Sequence, residues 1–210
     1  MNNYSINNGI NNLNIITANA RKRILNSHEL ITYFINQYHY NVMIMSEYHD
    51  QAIINVKNNH ICTTKRSVKG QEGILICYDK SLNITRAHHY KKHNKIKSYT
   101  DYVIMIGGVN ERHTYWGDKL SNIIGKCLYE KIIEHDLYLA NIFGVSTYHD
   151  ENGCSSVIDL TLHTDDINKY SPTWSIIPQI DKIDHELIEV NLHDLEWLTS
   201  STIKNINLIA

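Results

Sequence analysis

Clustered cysteine, proline-rich linkers, long apolar runs and an excess of either charge are all missing from this 210-residue chain. The four cysteines, Cys62, Cys77, Cys127 and Cys154, form no CxxC pair, which argues against a zinc site or a disulfide framework and for reduced thiols. Only two prolines occur, and with no Pro/Gly-rich linker and no internal repeat the chain reads as one domain. No apolar stretch approaches the roughly 20 residues that span a bilayer. The Asn-rich start "MNNYSINNGINNLN" has neither the basic head nor the apolar core of a signal peptide. The expectation is an intracellular protein, in cytoplasm or nucleus, with no membrane partner and no sign of an obligate protein partner. A formal net charge of -2 gives no overall basic field of the kind that clamps nucleic acid nonspecifically.

The hydrophobic fraction of 42% is that of an ordinary globular protein, and its pattern alternates between strand and helix. "LNIITAN" (13–19) reads as a buried strand, and Ile24, His28, Ile31, Ile35 and Tyr38 then recur at helical spacing. "NVMIMSE" (41–47) is a continuous apolar run ending on a carboxylate, so the opening unit is a parallel strand–helix–strand. "GILICYD" (73–79), "YVIMIGG" (102–108) and "LYLANIF" (137–143) are further strands, with Ile123, Ile124, Cys127, Leu128 and Ile132 marking a helix before the last. "VIDLTLH" (157–163), "TWSIIPQ" (173–179) and "LIEVNLH" (187–193) look antiparallel, which favours an α/β sandwich. Residues 80–100 break the pattern with Lys80, Arg86, Lys91, Lys92, Lys95 and Lys97 among histidines and tyrosines. An exposed loop is the plain reading of that segment, and a local phosphate-binding patch the functional one.

Three carboxylates stand at strand ends instead of on solvated helix faces: Glu47, Asp159 and Asp184. A carboxylate among apolar residues needs a cation or hydrogen-bond donors. One or two carboxylates plus water is the usual way to hold Mg2+ in phosphate chemistry. Asp184 is followed by His185, a pair suited to proton transfer or to hydrogen-bonding a phosphate oxygen, and Asp159 could orient that imidazole. Each feature taken alone is more often a surface dipeptide or a capped turn.

"GGVNERHTYWGD" (107–118) resembles the G-D-F-N-A-x-H-x-x-W-G segment of the endonuclease/exonuclease/phosphatase superfamily, in its non-LTR retrotransposon branch. "NIIGKCLYEKIIEHDLYLAN", "STYHDENGCSSVIDLTL" and "IDHELIEV" resemble the later motifs of that branch in the same order, and the likeness covers roughly 13–79 and 101–193. It implies a four-layer α/β sandwich, a tail at 1–12, one domain at 13–195 and a C-terminal tail at 196–210. By the same resemblance Glu47 would bind Mg2+ or Mn2+ and Asp184 would assist. Asn110 would contact the scissile phosphate, Asp159 would orient His185, and His185 would transfer a proton or stabilise the phosphate. His113 would shape the substrate-binding loop, and DNA would be the substrate.

Three positions depart from the pattern. Gly108 stands where the family carries an aspartate for the attacking water, Thr17 where a first-strand asparagine is expected, and Ile183 where a serine precedes Asp-His. The chain is also short between Asp79 and Asp101, so central strands are expected to be missing. These departures leave three readings open. One is a divergent, retroelement-derived endonuclease with impaired or absent cleavage. A second is an active enzyme whose lost base is replaced by Glu111 or Asp118, and a third is a phosphatase of small phosphoesters.

Overall fold

The computed structural model describes residues 12–19, 31–33, 37, 40–48, 59–63, 73–80, 82, 87–88, 103–178, 184–195 and 207–209. Most of the first helix, of the basic 80–100 segment and of the N-terminal tail lies outside the described residues, as does Ile183. Among the described residues no helix is long and apolar enough to cross a membrane.

Two sheets face each other. The larger runs β11(Thr173–Ile177)–β12(Leu187–Leu192)–β1(Leu13–Asn19)–β2(Val42–Tyr48)–β4(Gly73–Asp79)–β3(Asn59–Thr63). The smaller runs β5(Ala87–His88)–β13(Asn207–Ile209)–β6(Val103–Gly108)–β10(Asp159–His163)–β7(Tyr138–Leu139). A hairpin, β8(Tyr148–His149) with β9(Ser155–Ser156), stands beside them. β1 and β2 are parallel and β12 joins β1 antiparallel, matching the expected early and late pairings.

Strict alternation explains why the middles of β1 and β2 are apolar on both faces. Ile15, Val42 and Ile44 point into the space between the sheets with Ile104, Ile106, Ile188 and Val190. Ile16, Met43 and Met45 point the other way and are covered with Ile31 and Leu75. Both faces are dry, so neither strand has a polar face to show. The outer face of the smaller sheet is covered by α1(Ile123–Glu134), whose Ile132 packs with Trp116, Leu160 and Leu162.

Several sequence expectations are corrected. The strand expected over 137–143 shortens to β7, because Asn141 turns inward to hydrogen-bond β10: its Nδ2 donates to the Asp159 carbonyl at 2.9 Å and its Oδ1 accepts from Thr161 N at 2.7 Å. The helix over 123–134 is present, but it buries Gly125 and Ile132 while Ile123, Ile124 and Cys127 are exposed. Asn122 caps it, its Oδ1 accepting from Gly125 N at 2.6 Å, and a Cβ at Gly125 would lie 2.1 Å from the Arg112 carbonyl oxygen. That close approach sets the buried face. β3 was not anticipated. The stretch expected as a C-terminal tail supplies β13, which lies parallel between β5 and β6.

Candidate active site

β1 and β2 run parallel, β12 runs antiparallel to β1, and in the other sheet Gly108 of β6 faces Asp159 of β10. Residues at the C-terminal ends of β1, β2 and β6 and at the N-terminal ends of β10 and β12 are thereby gathered at strand ends, where side chains are free to converge.

Glu47 sits in a β-bulge: the β2–β4 register shifts between Met45 and Tyr48, and Glu47 adopts a left-handed φ of 53°. A bulge re-aims one side chain at the cost of a ladder step, and a non-glycine residue held at positive φ stores strain typical of functional sites. Asn110 shows the same signature, with φ 56° two residues beyond Gly108, and it is exposed. Asp159 and His185 form the centre. The His185 Nδ1–H donates to Asp159 Oδ2 at 2.9 Å and lies 3.2 Å from Oδ1, with both side chains about nine-tenths buried. A carboxylate only accepts, so this bond fixes the proton on Nδ1 and leaves Nε2 for a reacting group. Burial alone disfavours the imidazolium, but the hydrogen bond and charge of Asp159, with Asp184 and Glu47 adding, hold the His185 pKa above the ordinary histidine value. The structure therefore brings four of the expected residues, Glu47, Asp159, Asp184 and His185, into one electrostatic neighbourhood.

Backbone contacts lock the pair in place. The Thr147 hydroxyl, fully buried, accepts from Ile158 N at 3.0 Å and Asp159 N at 2.9 Å, while Asn141 holds the Asp159 carbonyl. On the other side His149 N donates to the Asp184 carbonyl at 2.6 Å and Glu186 N to the Thr147 carbonyl at 2.8 Å. Thr147 and Asn141 were not singled out from the sequence; each is a lone polar residue whose partners lie more than ten positions away. Asn19 is a further omission. Thr17 pairs with Ile44 and Ile188 well inside the sheet, whereas Asn19, buried at the end of β1, pairs with Ser46 beside Glu47.

Other expected residues are occupied elsewhere. His113 Nδ1 accepts from Tyr115 N at 3.0 Å and its ring stacks on Tyr129 at 4.7 Å and 12°, so it builds the loop and is not brought to the Asp159–His185 pair. Trp116 is fully buried and donates Nε1–H to the Val157 carbonyl at 3.0 Å. Asp118 is buried against the Arg112 guanidinium at 3.0 Å and accepts from Val157 N at 2.9 Å and Leu120 N at 3.1 Å. Glu111 accepts from Asn122 Nδ2 at 2.9 Å. Both carboxylates considered as replacement bases are thus engaged in holding the loop.

Gly108 also makes room for Asp159. A Cβ there would stand 2.9 Å from Asp159 Oδ1, closer than real Cβ contacts allow, so the present placement of Asp159 uses the space that glycine leaves open.

For a divalent ion, the donors present are hard oxygens: one oxygen each of Glu47 and Asp184 is buried, on residues whose charges both reach His185. Among the described residues no group of three or more His, Cys, Asp or Glu is placed to hold a metal ion. One or two carboxylates with water is the way Mg2+ is usually held in phosphate chemistry.

Comparison with known proteins gives a consistent answer. Residues 91–189 match the family model described as endonuclease-reverse transcriptase. Among solved structures, the endonuclease domain of TRAS1, a telomere-specific non-LTR retrotransposon, superposes with a TM-score of 0.67 at 16% identity, covering 86% of this chain and 98% of that one. An AP endonuclease, LMAP, from Leishmania major matches with a TM-score of 0.63 at 8% identity, over 87% of this chain and 88% of that one. An endonuclease/exonuclease/phosphatase family protein from Leptotrichia buccalis C-1013-b matches with a TM-score of 0.58 at 11% identity, over 86% and 99%. No curated protein matches the sequence.

Proposed function

We propose that this chain is a member of the endonuclease/exonuclease/phosphatase superfamily, of its non-LTR retrotransposon branch, and a divergent DNA endonuclease whose Mg2+-assisted phosphodiester cleavage is impaired by Gly108. The observation that carries this reading is the buried Asp159–His185 pair with the charges of Glu47 and Asp184 beside it. Likeness to a retrotransposon endonuclease domain supports DNA over a small phosphoester as the substrate.

Glu47 and Asp184 would hold the ion, Mg2+ or Mn2+, which when bound polarises a phosphoryl oxygen. Asp159 fixes the His185 tautomer and favours its cationic form, so His185 presents an Nε2–H to the negative charge that builds on the phosphate. Asn110, exposed beyond the end of β6, offers an amide donor to the same phosphate. The attacking water has no carboxylate at 108 to orient it, and Asp118 and Glu111 are tied to other partners. A lost positioned base costs about 10²–10⁴ in rate, so slow turnover is expected rather than none.

Nicking of supercoiled plasmid by the purified protein in Mg2+ and in Mn2+ tests this. Slow nicking is expected, abolished by Glu47→Gln and by His185→Asn. Gly108→Asp should recover little of the lost rate, because its Cβ meets Asp159 Oδ1 at 2.9 Å and shifts the carboxylate whose Oδ2 holds His185. Nicking that survives Glu47→Gln, or none in either metal at any protein concentration, overturns the reading.

A further inference from the structure

The single hydrogen bond at Nδ1 does not by itself fix the plane of an imidazole, and the chain holds His185 from a second direction. Residues 147–149 run antiparallel to 184–186, with Tyr148 and His185 opposite one another in an isolated bridge. Directly opposed residues project to the same side of a strand pair. The Tyr148 and His185 rings meet edge-to-face, with centroids 5.0 Å apart and planes at 68°. One position on, the His149 Nε2 lies 3.2 Å from Glu186 Oε1, tying the two segments together by side chains as well as by backbone. Tyr148 is half-buried and belongs to a two-residue strand of a hairpin closed at Gly153, so its placement owes little to the central core.

We propose that Tyr148 is a positioning residue for His185: its ring sets the imidazole plane in which Nδ1–H meets Asp159, and the His149–Glu186 pair keeps hairpin and strand in register. The proposal rests on the nuclease reading for its effect on rate, but not for its effect on the imidazole. The ring does this work and the hydroxyl does not, so Tyr148→Phe leaves both unchanged. Tyr148→Val keeps a strand-forming residue and removes the aromatic contact. Edge-to-face aromatic contacts correspond to roughly 2–10-fold in an equilibrium or rate.

Two measurements on the full chain test it. In plasmid nicking, Tyr148→Val is expected to lower kcat by roughly 2–10-fold with KM unchanged, His149→Gln by less, and Tyr148→Phe not at all. In proton NMR, the His185 Nδ1–H, identified by its absence in His185→Asn, is expected as a downfield, exchange-protected signal that Tyr148→Val broadens and Tyr148→Phe keeps. An unaltered signal in a folded Tyr148→Val protein overturns the proposal, as does equal loss in Tyr148→Phe. If the wild type does not nick, the nuclease reading fails while the NMR signal still decides the positioning role. If Tyr148→Val does not fold, the His149→Gln spectrum carries the test, and an undisturbed Nδ1–H there overturns the register part.

Discussion

Burial disfavours a charged imidazole at both His163 and His185, so their neighbours decide which form the fold prefers. At His163, the last residue of β10, burial dominates. The ring stacks on Tyr138 at 5.8 Å, its Nδ1–H donates to the Thr164 carbonyl at 3.0 Å, and the charge of Asp165 only partly opposes the desolvation, leaving the pKa below 6.5. At His185 the Asp159 hydrogen bond and the surrounding carboxylates outweigh burial and raise it. The linkage signs are opposite. For His163 the unfolded chain takes up the proton first, so its contribution is complete above 6.5 and is lost as pH falls through the lowered folded value. For His185 the contribution is complete below 6.5 and is lost as pH rises through the raised folded value. Urea midpoints between about pH 5 and pH 8 should show this: His163→Phe flattens the fall below about 6.5, and His185→Asn flattens the fall above it. Parallel curves for wild type and both variants would mean that neither histidine is held as described.

At the scale of whole elements, β6 needs a partner on the side away from β10. A buried strand with an unpaired edge is a liability, since its free N–H and C=O groups invite another chain. β13 answers it, pairing Asn207 with Val103, Leu208 with Ile104 and Ile209 with Met105. Leu208→Pro removes a ladder donor there and should cost about 1–3 kcal/mol, a fall of roughly 2–12 °C in thermal midpoint for a chain of this size. Truncation after Leu195 should do the same and add concentration-dependent association, visible by light scattering. A midpoint unmoved by either change would show that β13 contributes nothing to the sheet.

Nothing in the pattern of Asn207–Ile209 marks it as a strand, because three residues carry no period and their partners lie about a hundred positions away. β1, β2 and β4 are legible for the opposite reason: each is a seven-residue strand built around an apolar run that has few other places to go. The same contrast governs the site. Glu47, Asp159 and His185 stand out as polar residues at the ends of apolar strands, so their convergence follows once the strands are paired. Thr147 and Tyr148 sit in a polar hairpin whose role depends on a partner segment far along the chain. The apolar spacing marks α1 but not its buried face: Ile123 and Ile124 are exposed, and the approach of Gly125 to the Arg112 carbonyl dictates which side is buried.

Across the whole molecule, the site joins the two sheets. Glu47, Asp184 and His185 belong to or abut the larger sheet, Asp159 and the strand leading to Asn110 belong to the smaller, and the His185–Asp159 bond crosses between them. Anything that binds Glu47 and Asp184 together therefore stabilises the folded chain, because those carboxylates, far apart in the sequence, are gathered only when β2 and β12 take their places on either side of β1. A divalent ion held there binds the folded chain and not the unfolded one. At about 100 times its Kd it adds about 2.7 kcal/mol. For a chain of this length that corresponds to a rise of roughly 5–11 °C in thermal midpoint. Mg2+ should produce that rise in the wild type, EDTA should reverse it, and Glu47→Gln should abolish most of it. This readout does not depend on turnover, so it separates a site that binds its ion but cleaves slowly from one that has lost the ion as well. Equal midpoints with and without Mg2+ would place the defect at the metal carboxylates and not at Gly108.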